Sequence, residues 1–150
     1  MSDRLSADTL ILHGSLVARR MDGIWQGALL TGPSGSGKSD LALRLAAGGW
    51  RLVSDDRTVV WRDGDHLYGR TPPALAGLVE LRGQGVFATP VLPGFARIRL
   101  VVDCVRPDQP LERMPELRTI EILRGVLPRV QLVALEASAV HRLDLVLALA

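Results

Sequence analysis

The sequence predicts an α/β fold in which strands outnumber helices, and three features predict it. Short apolar runs are punctuated by two Asp-Gly dipeptides, Asp22-Gly23 and Asp63-Gly64, which readily take the positive φ angles of hairpin turns. A glycine-rich loop stands between an apolar run and a helical pattern. Only two segments carry sustained helical spacing.

Leu16-Val17-Ala18 and Ile24-Trp25 flank the first Asp-Gly pair and form one hairpin. Val59-Val60-Trp61 and His66-Leu67-Tyr68 flank the second. Further strands are expected over 28–31, 51–54, 98–104, 119–123 and 131–135. One helix is expected from the Gly-Lys-Ser at 37–39 to Ala47, with Leu41 and Leu45 on one face and Gly48-Gly49 as its stop. The other runs from about Ser138, a suitable N-cap, to the end, with Val140, Leu143 and Leu147 at helical spacing. A short helical turn is expected over 74–78, after Pro72-Pro73.

The 150 residues, 47% apolar and 23% charged, suit one domain spanning 1–150. No repeat or linker divides them. A single cysteine, Cys104, excludes an intramolecular disulfide and a multi-Cys zinc site. No apolar stretch reaches the roughly 18–20 residues of a membrane span. The first residues carry acids and no apolar h-region, so no signal peptide is expected. These features predict a cytoplasmic protein with no membrane partner. The 18 basic residues against 16 acidic leave a net charge of +2, which argues against nucleic acid as a partner. Seventeen of the basic residues are Arg; the one lysine is Lys38.

Gly32-Pro33-Ser34-Gly35-Ser36-Gly37-Lys38-Ser39 fits G-x-x-x-x-G-K-[ST] at every fixed position, between an apolar strand and a helix. Its glycines let backbone N–H groups curl around phosphate, and the helix start adds the positive end of its dipole. Lys38 is expected to hold the β and γ phosphates as a compact charge, and the Ser39 hydroxyl to ligate Mg²⁺. The pattern predicts binding of a nucleoside triphosphate.

Asp55 and Asp56 follow the expected strand at 51–54. If that strand returns beside 28–31, both acids sit at a carboxyl edge of the sheet, where open α/β sheets bind ligands. One carboxylate then takes a proton from an attacking hydroxyl and the other holds Mg²⁺ through water; the alternative is a solvated turn. Glu80 and Arg82, two apart on a strand, share a face. They fit a magnesium ligand and a phosphate contact, although Glu-x-Arg alone reads more readily as a surface ion pair. Taken alone, His13 reads as a core or turn residue, Cys104 as a small buried hydrophobe, and Arg97, Arg99 and Arg113 as exposed charges.

The order of these pieces is more specific than any one of them. His13-Gly14, Thr31 to Asp40, Arg51-Leu-Val-Ser-Asp-Asp56 and Glu80-Leu-Arg-Gly-Gln-Gly85 together resemble the catalytic domain of bacterial HPr kinase/phosphorylase, across nearly the whole chain. The resemblance implies a phosphate-loop fold like that of phosphoenolpyruvate carboxykinase, in a short form lacking the N-terminal domain of longer members. It implies an ATP- and Mg²⁺-dependent serine kinase acting on HPr or an HPr-like phosphocarrier, and possible homo-oligomers, since longer members are hexamers. By position, His13 matches the active-site histidine, Lys38 the phosphate-loop lysine and Asp56 the acceptor of the seryl proton, with Asp55 placing it. Ser39 and Glu80 match the Mg²⁺ ligands, Arg113 a further catalytic arginine, and 79–88 a signature segment that includes Arg82.

Departures from the family pattern include Gln84 where an aliphatic residue is usual. The stretch 132–138 also lacks the Pro-, Gly- and Arg-containing loop tied to phosphorolysis, which places phosphorylase activity in doubt. Two other functions use the same loop: a small-molecule kinase, which normally adds a long helical lid, and a nucleotide-binding regulator that partners a sensor kinase.

Overall fold

The computed structural model describes residues 2–6, 8–73, 78–81, 83–88 and 94–150, with backbone alone at 2–6 and 78–81. In chain order the elements are β1 (Ser2–Ser6), β2 (Thr9–His13), β3 (Ser15–Met21), β4 (Ile24–Thr31), α1 (Lys38–Ala47), β5 (Arg51–Ser54), β6 (Arg57–Asp63) and β7 (His66–Arg70). There follow β8 (Leu78–Leu81), β9 (Gly85–Ala88), β10 (Phe95–Val105), β11 (Arg118–Ile122), β12 (Gly125–Val133) and α2 (Ala139–Leu149). Ten strands form one sheet in the order β1-β2-β6-β7-β10-β4-β3-β5, with β12 joined to β10 and β11 to β12. β8 and β9 pair with each other as a separate hairpin. Neither helix is long and apolar enough to cross a membrane.

Local turn chemistry explains two hairpins, and core packing explains a third. Met21 faces Ile24 across Asp22-Gly23, whose φ angles of 53° and 76° are both positive, as a type I′ turn requires. In the second hairpin Asp63 already pairs with His66, so the turn is Gly64-Asp65 rather than Asp63-Gly64. The third joins β11 to β12 through Leu123-Arg124, with φ of 49° and 66°. No residue there favours that conformation, and Leu123 holds it because its side chain packs against the core. The strand expected at 119–123 therefore stops at Ile122, and that expected at 131–135 is the last part of β12, which stops at Val133.

β10 organises the sheet. Along one edge it runs parallel to β4, from Arg97 opposite Gln26 to Asp103 opposite Thr31. The other edge is shared: β7 takes Phe95 to Ile98 and β12 takes Val101 to Val105. A register shift between Ile98 and Leu100 inverts the alternation there. Leu100, Val102 and Cys104 consequently join one core, packed against α1 and α2, while Ala96, Ile98 and Val101 join another. That second core fills the space where the β2-β6-β7 part of the sheet curls over β3 and β4, bringing Leu16, Val60 and Leu67 together.

α1 forms over the expected residues, with Leu41 and Leu45 fully buried. Truncating either to Ala would cost about 2–5 kcal/mol. Its end is also as expected: the Gly48 N–H bonds Leu45 O and Gly49 turns the chain at φ 94°. α2 begins after Ser138, but the Ser138 hydroxyl caps nothing; it accepts a bond from Arg142 Nε at 2.9 Å. Asp144 ties α2 to the sheet, accepting from Trp50 Nε1 at 2.7 Å and Arg19 Nη1 at 2.9 Å. Arg97 and Arg99 are half-buried rather than freely exposed, and Arg99 bonds Gln26 Oε1 at 2.6 Å and the Ala150 backbone oxygen. Of the turn expected over 74–78, residues 74–77 lie outside the described residues, and Leu78 is in β8.

Candidate active site

β4 and β10 run parallel, and the chain leaves β4 at Thr31 to form the glycine loop. Gly32 has φ 137°, and a Cβ there would lie 2.4 Å from the Cys104 carbonyl oxygen. Gly37 has φ 93°, and its Cβ would lie 2.6 Å from Leu135 Cδ2. Conformation and space both demand glycine at these two positions. Gly37 is also the N-cap of α1 and supplies no side-chain cap, leaving first-turn N–H groups open to an anion. Lys38 Nζ donates to Gly32 O at 2.6 Å and to Pro33 O at 3.1 Å. The Ser36 hydroxyl is fully buried inside the loop and has no hydrogen-bond partner among the described residues.

The acids reach this loop by an indirect route. β5 does not lie beside β4, as the strand at 51–54 was expected to; β3 stands between them, antiparallel to both. β5 and β4 therefore point the same way, and Asp55 and Asp56 leave the sheet at the edge where the glycine loop begins. Ser15, at the start of β3, locks them there. Its Oγ donates to Asp55 Oδ1 at 3.0 Å and accepts from the Asp56 N–H at 3.0 Å. The Ser39 hydroxyl donates to the same Asp55 oxygen at 3.5 Å. Asp56 has φ 65°, an uncommon value for a residue other than glycine, and its carboxylate has no partner among the described residues.

These groups line a cleft of about 830 Å³. His13 enters from the end of β2, Lys38 and Ser39 from α1, Asp55 and Asp56 from the β5–β6 turn, and Gln84 from the β8–β9 loop. Gly32, Ser34, Gly35 and Gly37 form its loop wall. Glu80 lies in β8, with its side chain outside the described residues, and Arg82 lies outside them altogether. Arg113 is on the exposed stretch 106–117 and is not among the lining residues. Among the described residues no cluster of three or more acids, histidines or cysteines could hold a metal ion unaided.

Reading the sequence missed Ser15 and a carboxylate at the root of the loop. Asp103 accepts from Thr31 Oγ1 at 2.7 Å, Arg129 Nε at 2.6 Å and Arg129 Nη2 at 3.1 Å. The Asp103 hydrogen bond pushes the Arg129 guanidinium up from its ordinary pKa. The signal was present as Leu100-Val101-Val102-Asp103, an apolar run ending in an acid on the strand next to the loop. Beside it, burial pushes the Cys104 thiol up to about 12, with Lys38 opposing and Asp103 assisting. Cys104 is the small buried hydrophobe expected.

The HPr Serine kinase C-terminal domain family matches residues 4–132. HPr kinase/phosphorylase of Burkholderia lata is 38% identical over 129 residues, covering 80% of this chain and 39% of that protein. The HPr kinase/phosphorylase of Burkholderia cenocepacia gives the same identity and coverage. The chain thus spans 39% of the length of these curated relatives. The solved Hpr(Ser) kinase/phosphatase of Coxiella burnetii superposes with a TM-score of 0.69 at 27% identity, covering 81% of this chain and 77% of that one. The strand-rich α/β architecture is that of this kinase, and the chain belongs to the HPr Serine kinase C-terminal domain family.

Proposed function

We propose that this chain transfers the γ-phosphoryl group of ATP to a seryl hydroxyl of HPr or an HPr-like phosphocarrier. One observation carries the reading: a single cleft joins the Lys38 and Ser39 end of the glycine loop to the carboxylate of Asp56, which has no partner among the described residues. The N–H groups of the loop and of the first turn of α1 would hold the β and γ phosphates. Lys38, already within reach of two loop oxygens, would exchange them for phosphate oxygens. Asp56 would take the seryl proton as the new O–P bond forms and the bond from γ-phosphorus to the ADP oxygen breaks. Asp55, fixed by Ser15, would hold the turn that aims Asp56. His13, Arg82 and Arg113 would orient the phosphates or the carrier.

The residues present fit Mg²⁺. Ser39 and Asp55 offer a hydroxyl and a carboxylate side by side, with Glu80 proposed as a further ligand. That small oxygen set suits an ion that keeps water and phosphate oxygens in its own shell. When bound, Mg²⁺ neutralises charge between the β and γ phosphates.

Labelled ATP with purified HPr tests the proposal, comparing wild type with Lys38→Ala and Asp56→Ala. Labelling of the carrier by wild type alone is expected. Tight ATP binding with no labelled carrier would favour a non-catalytic regulator instead. We further propose that phosphorylase activity is weak or absent, because 132–138 lacks the Pro-, Gly- and Arg-containing loop. Rapid pyrophosphate release from seryl-phosphorylated HPr and inorganic phosphate would contradict that.

A further inference from the structure

The helices cover one face of the sheet over β3, β4, β5, β12 and the second half of β10. Among the described residues, no helix covers the same face over β6, β7 and the first half of β10. The register shows what stands there. Trp61 lies opposite Tyr68, Tyr68 opposite Arg97, and Arg70 opposite Phe95, and paired residues point to one side of a sheet. Their neighbours Val60, Leu67, Ala96 and Ile98 point inward to the core.

The chain has three Trp, one Tyr and two Phe, and half of them meet on this face. Trp61 stacks on Tyr68 with centroids 5.8 Å apart, and Phe95 meets both edge-on at 5.8 and 6.0 Å. Phe95 remains 52% exposed. Arg70 and Arg97 flank the rings, and neither has a hydrogen-bond or ion-pair partner among the described residues. Among the described residues Asp63 shares the face at its far end beside His66, and Asp65 in the adjoining turn lines the same cavity as Arg97. Trp61, Tyr68, Arg70 and Arg97 are half-buried around the exposed Phe95, and aromatic rings flanked by arginines are the composition of a binding hot spot.

Along β6 the face runs toward the cleft, with the almost fully buried Val59 between the rings and Arg57. His13 lies opposite Arg57, and Arg57, Val59 and Trp61 alternate along β6 on this side. The rings therefore begin roughly 13 Å from the His13 row, at about 3.3 Å per residue. We propose that this face docks an acidic, apolar-centred surface of the phosphoacceptor protein, a proposal that rests on the kinase reading. Among the described residues Arg57, Arg70 and Arg97 outnumber Asp63 and Asp65 here, and the excess of positive charge calls for negative charge in the partner. A second copy meeting the same face about a two-fold axis would set these arginines against each other. Single-stranded nucleic acid suits exposed rings, but a net charge of +2 provides little phosphate neutralisation.

The test is the double charge reversal Arg70→Glu with Arg97→Glu, whose side chains lie outside both cores, with Tyr68→Ala as a second variant. Purified HPr is the probe. Its binding is measured by calorimetry with a non-hydrolysable ATP analogue, and its labelling by steady-state kinetics. The expected result is a KM for the carrier raised roughly tenfold or more, kcat within about twofold, and unchanged nucleotide affinity. The carrier's binding to wild type should also weaken with salt, and to the reversal variant much less so. If wild type labels the carrier and both variants bind it equally well, docking here fails and the kinase reading stands. If wild type binds without labelling and the variants do not bind, the kinase reading fails and docking stands. Absence of binding to wild type overturns docking outright. So does a wild-type dimer that the reversal dissolves, or an oligonucleotide that binds wild type but not the variants.

Discussion

The ammonium of Lys38 sits 2.6 Å from the carbonyl oxygen of Gly32, the residue that opens its own loop. A point charge on a flexible stem can leave that oxygen for a phosphate; a planar guanidinium needs a wider, forked acceptor. Lys38→Arg is therefore expected to lower kcat/KM for ATP roughly 10- to 100-fold, the scale of a charge-assisted hydrogen bond. Normal turnover in that charge-preserving variant would show that compactness at this position is unimportant.

Ser15 joins two acids whose positions depend on it. Ser15→Ala removes a donor from Asp55 and an acceptor from the Asp56 N–H in an almost wholly buried setting. The expected cost is about 1–3 kcal/mol of stability. Turnover should fall while nucleotide affinity holds, because the lost bonds aim Asp56 rather than grip phosphate. Thermal unfolding and a separate measurement of kcat and nucleotide binding check the two effects independently.

Arg124 pays a conformational penalty at φ 66° that glycine would not. Relief of a left-handed residue is worth roughly 1–2 kcal/mol. The exposed Arg124–Asp8 pair at 2.6 Å, lost in the exchange, contributes at most about 1 kcal/mol. Arg124→Gly should accordingly stabilise the protein by about 1 kcal/mol, read as a higher urea midpoint at unchanged slope. A lower midpoint would mean that the ion pair outweighs the strain.

Cys104 gives a pH dependence of known sign. An unfolded thiol ionises near 8.5, while burial holds this one protonated up to about 12. As pH rises the unfolded chain loses its proton first. The thiol's contribution is therefore complete below about pH 8.5 and declines toward about 12. Wild type should lose more stability than Cys104→Ala between about pH 8 and pH 10, in paired urea titrations. Native thiol labelling should be slow and follow unfolding; labelling at the rate of a free cysteine would contradict the burial.

What could be read from the sequence was local. Asp22-Gly23 announces its hairpin because both residues tolerate positive φ, and the glycine loop announces itself because Gly32 and Gly37 leave no room for side chains. The Leu123-Arg124 hairpin was not legible, since packing of Leu123 on the core imposes a backbone that neither residue prefers. The placement of β5 beside β3 instead of β4 likewise depends on pairing between distant strands. At the site, His13, Lys38, Ser39, Asp55 and Asp56 were picked out and do share the cleft. Ser15 was not, because a serine acquires its role only when the fold brings Asp55, forty residues away, within 3.0 Å.

β10 has a consequence for how the protein is made. It is the seam on which β4, β7 and β12 all depend, yet it is translated only after the first two of them have emerged. Until Phe95 to Val105 leave the ribosome, β4 and β7 each keep an open edge, and the half-sheets on either side have nothing to hold them in register. The nascent chain is thus expected to stay protease-sensitive through the hairpins that precede β10 and to acquire resistance only once β10 is free, a timing that arrested chains of graded length would reveal.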